Sequence, residues 1–218
     1  MKKRRNTKIL FAGIIVLIVF VLWTVMVKNV DVKPIGPNCS SVGFSTLNHF
    51  VHELTGVHMV LYNITDWLSL VPICIIFAFA VYGLVQMIKR KSIKKVDADI
   101  LILGGFYIVV MAVFIFFEYC VVNFRPVLIN GVLEASYPSS TTLLVMCVII
   151  SAVMVLYSRI SNKTLKSFVS ISLVAFTAFM VVARLISGVH WVSDIIGGVI
   201  LSVGLVLNYY SLTHFTKA

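Results

Sequence analysis

Six long apolar runs dominate the chain, at residues 9–27, 67–88, 100–117, 141–156, 168–185 and 192–209. Each comes close to the ~20 residues that an α-helix needs to cross a ~30 Å hydrocarbon core. The first follows a basic start, as a signal peptide does. It is too long for an ordinary signal core, and Trp23 and Lys28 stand where a small-residue cleavage site is required, so it reads as an uncleaved membrane helix. Residues 29–65 are mixed. Pro34, Gly36, Pro37 and Asn38 break structure, and then Phe44, Leu47, Val51, Leu54 and Val57 recur at near-helical spacing among His49, His52, Glu53 and His58. That pattern predicts a helix within 42–61 lying on the membrane surface. The expected fold class is all-α: a six-transmembrane helical bundle with an external interfacial helix, forming one unit over residues 1–218.

Composition strengthens this picture. The chain is 60% apolar and 12% charged, against about 25% charged in a soluble domain. The net charge of +10 matters through its location. Lys2, Lys3, Arg4, Arg5 and Lys8 precede the first run. Lys89, Arg90, Lys91, Lys94 and Lys95 follow the second, Arg159, Lys163 and Lys166 follow the fourth, and Lys217 follows the sixth. Basic residues in alternate connections are the positive-inside signature. They place both termini in the cytoplasm, and residues 29–66, 118–140 and 186–191 outside. With topology subtracted, no basic stripe remains for nucleic acid. The four cysteines, Cys39, Cys74, Cys120 and Cys147, form no metal-ligand spacing. Cys39 and Cys120 fall on the outer side, where a pairing is open.

Polar residues at span ends are functional candidates, and three groups fall on the same expected face. These are Arg125-Pro126, the turn Tyr137-Pro138-Ser139-Ser140-Thr141, and the stretch from Arg184 to Asp194. His190 and Asp194 share a helix face if the sixth helix begins near His190. Asp194 then accepts from one ring nitrogen and leaves the other as base, nucleophile or ligand. The Ser/Thr turn at a helix start suits an anion. Each group alone has an ordinary reading: a helix-end pair, an interfacial arginine, an N-cap. Together they describe an anion pocket with a nucleophile, and the anion that suits paired guanidiniums is a phosphate. His52-Glu53 begins like a zinc-protease motif, but the next histidine is His58, six residues on rather than four. No metal and no cofactor is expected.

These residues resemble the signature of the type 2 phosphatidic acid phosphatase family, membrane lipid phosphatases related to vanadium haloperoxidases. The family pattern runs Lys-x6-Arg-Pro, Pro-Ser-Gly-His and Ser-Arg-x5-His-x3-Asp. Here stand Arg125-Pro126, then Pro138-Ser139-Ser140-Thr141, then Ala183-Arg184-x5-His190-x3-Asp194, within a motif-bearing region of about 65–210. The resemblance implies that His190 attacks phosphorus to form a phosphohistidine and that Asp194 orients it. Arg125, Arg184, Ser139, Ser140 and Thr141 would hold the phosphoryl oxygens. The chain departs from the pattern at three positions: Glu118 replaces the lysine, Thr141 the second histidine, and Ala183 the serine.

The second histidine is the family's general acid, and a positioned acid is worth ~10²–10⁴ in rate. It matters most when an alkoxide leaves and least when a phosphate leaves. A lipid pyrophosphate is therefore the expected substrate, undecaprenyl pyrophosphate the leading candidate, with a lipid monophosphate next. Glu118, Glu134 and Tyr137 are the nearby candidates for a replacement acid or modulator. Glu118 repels a phosphate unless it pairs with an arginine or is protonated by burial. The rival reading is a weakened or inactive family member that binds phospholipid head groups or a membrane partner. A transporter has no inverted repeat to support it. The expected location is a bacterial plasma membrane, with the site facing outside.

Overall fold

A computed structural model describes residues 2–215 of the chain, with the side chains of residues 4–215; the basic side chains of Lys2, Lys3 and Lys217 lie outside the described part. The helices are α1 (Lys2–Asn29), α2 (Ser45–Thr55), α3 (Met59–Leu68), α4 (Leu70–Arg90), α5 (Ala98–Tyr119), α6 (Ser140–Leu144), α7 (Ile150–Arg159), α8 (Lys163–Ile186) and α9 (Val192–Phe215). A π-helical turn, Val145–Ile149, joins α6 to α7 into one continuous rod. Six stretches are long and apolar enough to cross a membrane: Arg4–Asn29, Met59–Arg90, Ala98–Tyr119, Ser140–Arg159, Lys163–Ile186 and Val192–Phe215. All six expected spans are present, and each is longer than its apolar run. The largest difference is the second, which starts at Met59 rather than at residue 67, because α3 stacks almost directly on α4 across Ser69.

The fourth span is the axis of the bundle, 61% buried, while the second is 6% buried and the first 11%. Leu143, Val145, Cys147, Val148 and Ile149 on this rod are fully enclosed by the surrounding helices. The outer helices turn large apolar side chains outward: Phe77, Ile108 and Phe168 are each about 70% exposed. An apolar belt of this extent is stable only against lipid tails.

The helix α2 lies across one end. Its apolar residues Leu47, Phe50 and Leu54 point away from the protein, while Asn48 is fully buried. The Asn48 amide donates to Gly43 O (2.7 Å) and Ser193 Oγ (2.9 Å), and its oxygen accepts from Ser193 N (3.1 Å). A polar anchor below and an apolar face above is the arrangement of a helix seated at a membrane interface. His49 pairs with Glu53 (3.3 Å), His52 packs on the Trp191 ring (5.4 Å), and His58 binds the Thr55 carbonyl (2.9 Å). The three histidines are thus used separately. Cys39 and Cys120 are free, exposed thiols.

The opposite end carries the basic clusters and a charged clamp. Asp97, which precedes α5, accepts from Arg90 (2.7 Å) and Gln86 (2.8 Å) of α4 and from Arg159 (3.1 Å) of α7. Arg159 also grips both oxygens of Asp99 at 2.8 Å. Hydrogen bonds from Arg90 and Gln86 hold the Asp97 carboxyl down at about 2. Three spans are thereby tied at one end by ion pairs.

At the α2 end, the corner between α2 and α3 docks on the turn between α8 and α9. His58 N donates to Ser187 O at 2.9 Å. Gly188 has φ +69°, and a Cβ built there would stand 1.8 Å from Gly56 O. Gly188→Ala therefore combines a left-handed conformation, costing ~1–2 kcal/mol for an alanine, with a backbone clash. It should lower the melting midpoint in detergent by several degrees. A variant as stable as wild type would show that this docking does not constrain the turn.

Candidate active site

The segment between α5 and α6 is a β-ribbon rather than an open polar loop. Asn130 (φ 51°) and Gly131 (φ 79°) form its tip, both with the positive φ that a tight hairpin turn of this hand requires. Bridges pair Ile129 with Val132 and Phe124 with Ala135, and Arg125 N donates to Glu134 O (3.0 Å). The ribbon thus brings Arg125 and Glu134 side by side. Arg125 Nε lies 3.0 Å from Glu134 Oε2, close enough for an ion pair but out of line for a hydrogen bond. Ile129 packs with Tyr62 and Val189, which seats the ribbon over α3 and the α8–α9 turn.

The base of the ribbon holds the His190 region. Ser136 N donates to Asn123 O (3.0 Å), and the Asn123 amide donates to Asp194 Oδ1 (3.2 Å). His190 Nδ1 faces the Ser136 carbonyl at 3.2 Å. A carbonyl only accepts, so Nδ1 carries the proton and Nε2 bears the lone pair. That Nε2 accepts from Arg125 Nη1 at 3.3 Å. Burial, then the charges of Arg125 and Arg184, push the imidazole well below its ordinary range, which keeps the ring neutral.

The expected His190–Asp194 hydrogen bond is not made. Asp194 Oδ2 stands 3.9 Å from Nδ1 and accepts instead from Trp191 N at 3.0 Å. The reason is where the helix begins. α9 starts at Val192, so His190 precedes the helix and the i, i+4 register does not apply to it. Asp194 occupies the third helical position and reaches back to the N-cap N–H of Trp191, as in a capping box. Its hydrogen-bonded link to His190 runs through Asn123 and Ser136.

The Pro138-Ser139 turn is locked onto the same helix start. Ser139 N donates to Asp194 O (3.1 Å), while Ser139 Oγ accepts from Thr142 N (3.4 Å) and Thr142 Oγ1 (3.1 Å). Ser139 is therefore an N-cap whose own hydroxyl hydrogen is left to donate. Thr141 is buried in the first turn. Ser140 and Glu118 line one small cavity together with Ser136, Pro138 and Phe117.

Arg184 is 2% exposed and turns towards α3. Nη1 donates to Thr65 Oγ1 (3.0 Å) and Tyr62 O (3.3 Å), and Nη2 to Asp66 Oδ1 (3.2 Å). Both guanidiniums stand over the Tyr62 ring, Arg184 at 4.7 Å and Arg125 at 5.8 Å. The structure thus gathers Arg125, Arg184, His190 and Asp194 at one end of the bundle. It does not bring Tyr137 to the reacting edge. The Tyr137 hydroxyl is 2.7 Å from Thr24 Oγ1, its ring stacks on Phe20, and burial pushes the phenol well above its ordinary range. Gly197 of α9 makes room for that ring, since a Cβ there would lie 2.6 Å from it. Tyr137 is thus a poor acid, although its side chain lines the small cavity beside Glu118 and Ser140.

Asn123, Ser136, Tyr62, Thr65 and Asp66 escaped the sequence reading. The Asn130-Gly131 dipeptide was the available signal for the first two, since a hairpin there sets 123–125 beside 134–136. No local pattern marks the α3 residues as partners of Arg184, 119 positions away.

A family model described as PAP2 superfamily matches residues 74–217. The crystal structure of a transmembrane PAP2-type phosphatidylglycerolphosphate phosphatase from Bacillus subtilis is similar in fold. Its TM-score is 0.60 at 16% identity, over 94% of this chain and 96% of that one. No curated protein matches the chain.

The neutral imidazole can be measured directly. An unfolded histidine takes up its proton near 6.5, whereas native His190 does so only at lower pH. The unfolded state thus binds more protons between these values, and the native state should lose stability as pH falls below about 6.5. NMR titration with labelled histidine should find a ring titrating well below 6.5 that is absent in His190→Gln. A native His190 titrating at 6.5 or above would contradict the buried, arginine-flanked environment.

Proposed function

The chain belongs to the PAP2 superfamily, and from that premise we propose that it is a membrane lipid phosphatase that hydrolyses lipid pyrophosphates, and lipid monophosphates more slowly, through a phosphohistidine on His190. The observation that carries this reading is the state of that ring. Nδ1–H is committed to the Ser136 carbonyl, the imidazole is neutral, and the Nε2 lone pair faces a guanidinium. Both nitrogens have a partner within the protein, but the two partners differ in kind: a fixed neutral carbonyl and a guanidinium. Here one nitrogen is satisfied by a group that an incoming phosphate attracts more strongly.

The reaction then runs in two displacements. As the phosphoryl group enters, Arg125 Nη1 exchanges Nε2 for a phosphoryl oxygen, while Glu134 beside Nε keeps the guanidinium at the reacting atom. Nε2 attacks phosphorus, the bond to the bridging oxygen breaks, and the leaving group departs with the electron pair. Water next attacks phosphorus, the phosphorus–nitrogen bond breaks with its electron pair returning to Nε2, and the water's protons leave with inorganic phosphate, which restores neutral His190. Arg125 and Arg184 stabilise the charge on the equatorial oxygens, helped by the Ser139 hydroxyl and the start of the fourth span.

Residue 141 shapes the substrate preference. A threonine hydroxyl is too weak an acid to protonate a departing alkoxide, and Glu118 stands where the family has a cation. A pyrophosphate expels a phosphate that needs no proton. Undecaprenyl pyrophosphate fits this chemistry and the lipid setting best. The basic end of the bundle, which the positive-inside rule assigns to the cytoplasm, lies opposite the site, and this supports an outward-facing site. The rival reading, a family member that binds a head group without turnover, draws on the same two substitutions.

Phosphate release from the solubilised protein tests the proposal. His190→Ala should abolish release, and acid-labile, base-stable phosphate should be trapped on the wild-type chain. Thr141→His should raise monophosphate hydrolysis at least tenfold and pyrophosphate hydrolysis much less; equal gains on both would remove the leaving-group argument. Wild-type protein that binds lipid phosphate without releasing phosphate would decide for the binding reading. Sidedness is checked separately in a chain freed of its own cysteines. An impermeant thiol reagent applied to intact cells should label Val32→Cys and spare Lys94→Cys. The reverse pattern would put the site in the cytoplasm.

A further inference from the structure

We propose that α3 is the positioning element for Arg184: Tyr62, Thr65 and Asp66 lock both of its Nη nitrogens, so that Nε is left to meet the phosphoryl group. This rests on the phosphatase reading for the identity of the anion. It does not follow from the family match, which begins at residue 74, after α3 has ended.

The hydrogen bonds of α3 are aimed for this purpose. The single proton of the Thr65 hydroxyl points back into its own helix, towards Leu61 O (3.0 Å) and Tyr62 O (2.9 Å). Its lone pairs therefore face outward, and Arg184 Nη1 takes one at 3.0 Å. Asp66, 56% exposed at its side chain, supplies the carboxylate for Nη2 at 3.2 Å. The Tyr62 ring lies under the guanidinium at 4.7 Å.

What remains is the orphan. Arg184 Nε is buried and has no hydrogen-bond partner, and Arg125 Nε has none with aligned geometry. Two guanidiniums withdrawn from water, standing over one tyrosine ring and each holding an unspent N–H, describe a site completed by an anion. A purely structural arginine would be expected to spend all its donors. Locking the Nη edge also removes rotamers that the guanidinium would otherwise lose when the phosphate arrives. Asp66 and Thr65 thus act through Arg184, without touching substrate.

Thr65→Val keeps the shape and removes the acceptor, and Asp66→Asn changes an exposed group with little risk to folding. Each should raise KM for a lipid pyrophosphate, and the dissociation constant for inorganic phosphate measured by calorimetry, by about tenfold. Asp66→Asn, which keeps an acceptor oxygen, should melt as wild type, whereas Thr65→Val should also melt lower, because it takes an acceptor from a buried guanidinium. Asp66→Glu should recover most of the loss. In an Arg184→Lys background, where the planar fork is gone, neither substitution should add a further penalty. The same penalty in both backgrounds, or no penalty in the wild-type background, overturns the proposal. The calorimetric readout needs no turnover. If phosphate binding falls in the variants of a protein that does not hydrolyse lipid, the positioning role stands and the phosphatase reading falls. If hydrolysis is normal and every variant is silent, the reverse holds. A wild-type chain that neither turns over nor binds phosphate sinks both.

Discussion

A guanidinium withdrawn from water at the end of a membrane bundle must find acceptors or be expelled. Arg184 is the clearest instance, since it is 2% exposed and stands at the end of a span. Burying such a charge without partners costs several kcal/mol, and the local architecture meets that demand. The second span is prolonged by α3, which carries the Tyr62 carbonyl, Thr65 and Asp66 to the guanidinium. The α2–α3 corner docks on the α8–α9 turn through His58 and Ser187. The Tyr62 ring then serves as a common floor for both arginines.

The same accounting explains the ribbon between α5 and α6. A loop beside a buried histidine and a buried aspartate has to supply polar partners from a defined backbone. The ribbon does so by pairing its own strands at Phe124–Ala135 and Ile129–Val132. Its base then offers the Ser136 carbonyl to His190 and the Asn123 amide to Asp194. Asp194 in turn caps α9 through Trp191, and its carbonyl receives Ser139 N. The nucleophile candidate, the helix start and the serine turn are therefore one hydrogen-bonded assembly. A change at Asn123 would be felt at His190 without any contact between the two.

The two ends of the bundle solve different problems. At the basic end, Asp97 and Asp99 hold Arg90 and Arg159 in a clamp across three helices, in surroundings open enough for those charges to keep water. At the other end, the guanidiniums are buried and each is ion-paired with a more exposed carboxylate, Glu134 or Asp66. That leaves a site of modest net charge with unspent N–H groups. Such a site is suited to an anion that brings its own oxygens into line with the donors, rather than to nonspecific attraction.

Much of this was legible in the order of residues. Membrane spans announce themselves because the hydrocarbon core demands about 20 apolar residues in a row, a property of contiguous sequence. The all-α class and the six spans followed from that demand, the helix within 42–61 from its apolar spacing, and the candidate site residues from their resemblance to a family signature. The His190–Asp194 geometry did not. The i, i+4 rule holds only within a helix, and α9 begins at Val192, after His190, where Asp194 caps its start and is held by Asn123 and Ser139 from another segment. The surroundings of Tyr137 were hidden for a related reason: its ring is seated by Gly197 and Phe20, which are remote in sequence. The partners of Arg184 are more than a hundred residues away. Local pattern reports the solvent that a segment requires, whereas hydrogen-bond partners for a buried charge are chosen by how the segments pack, and only the tertiary structure decides that.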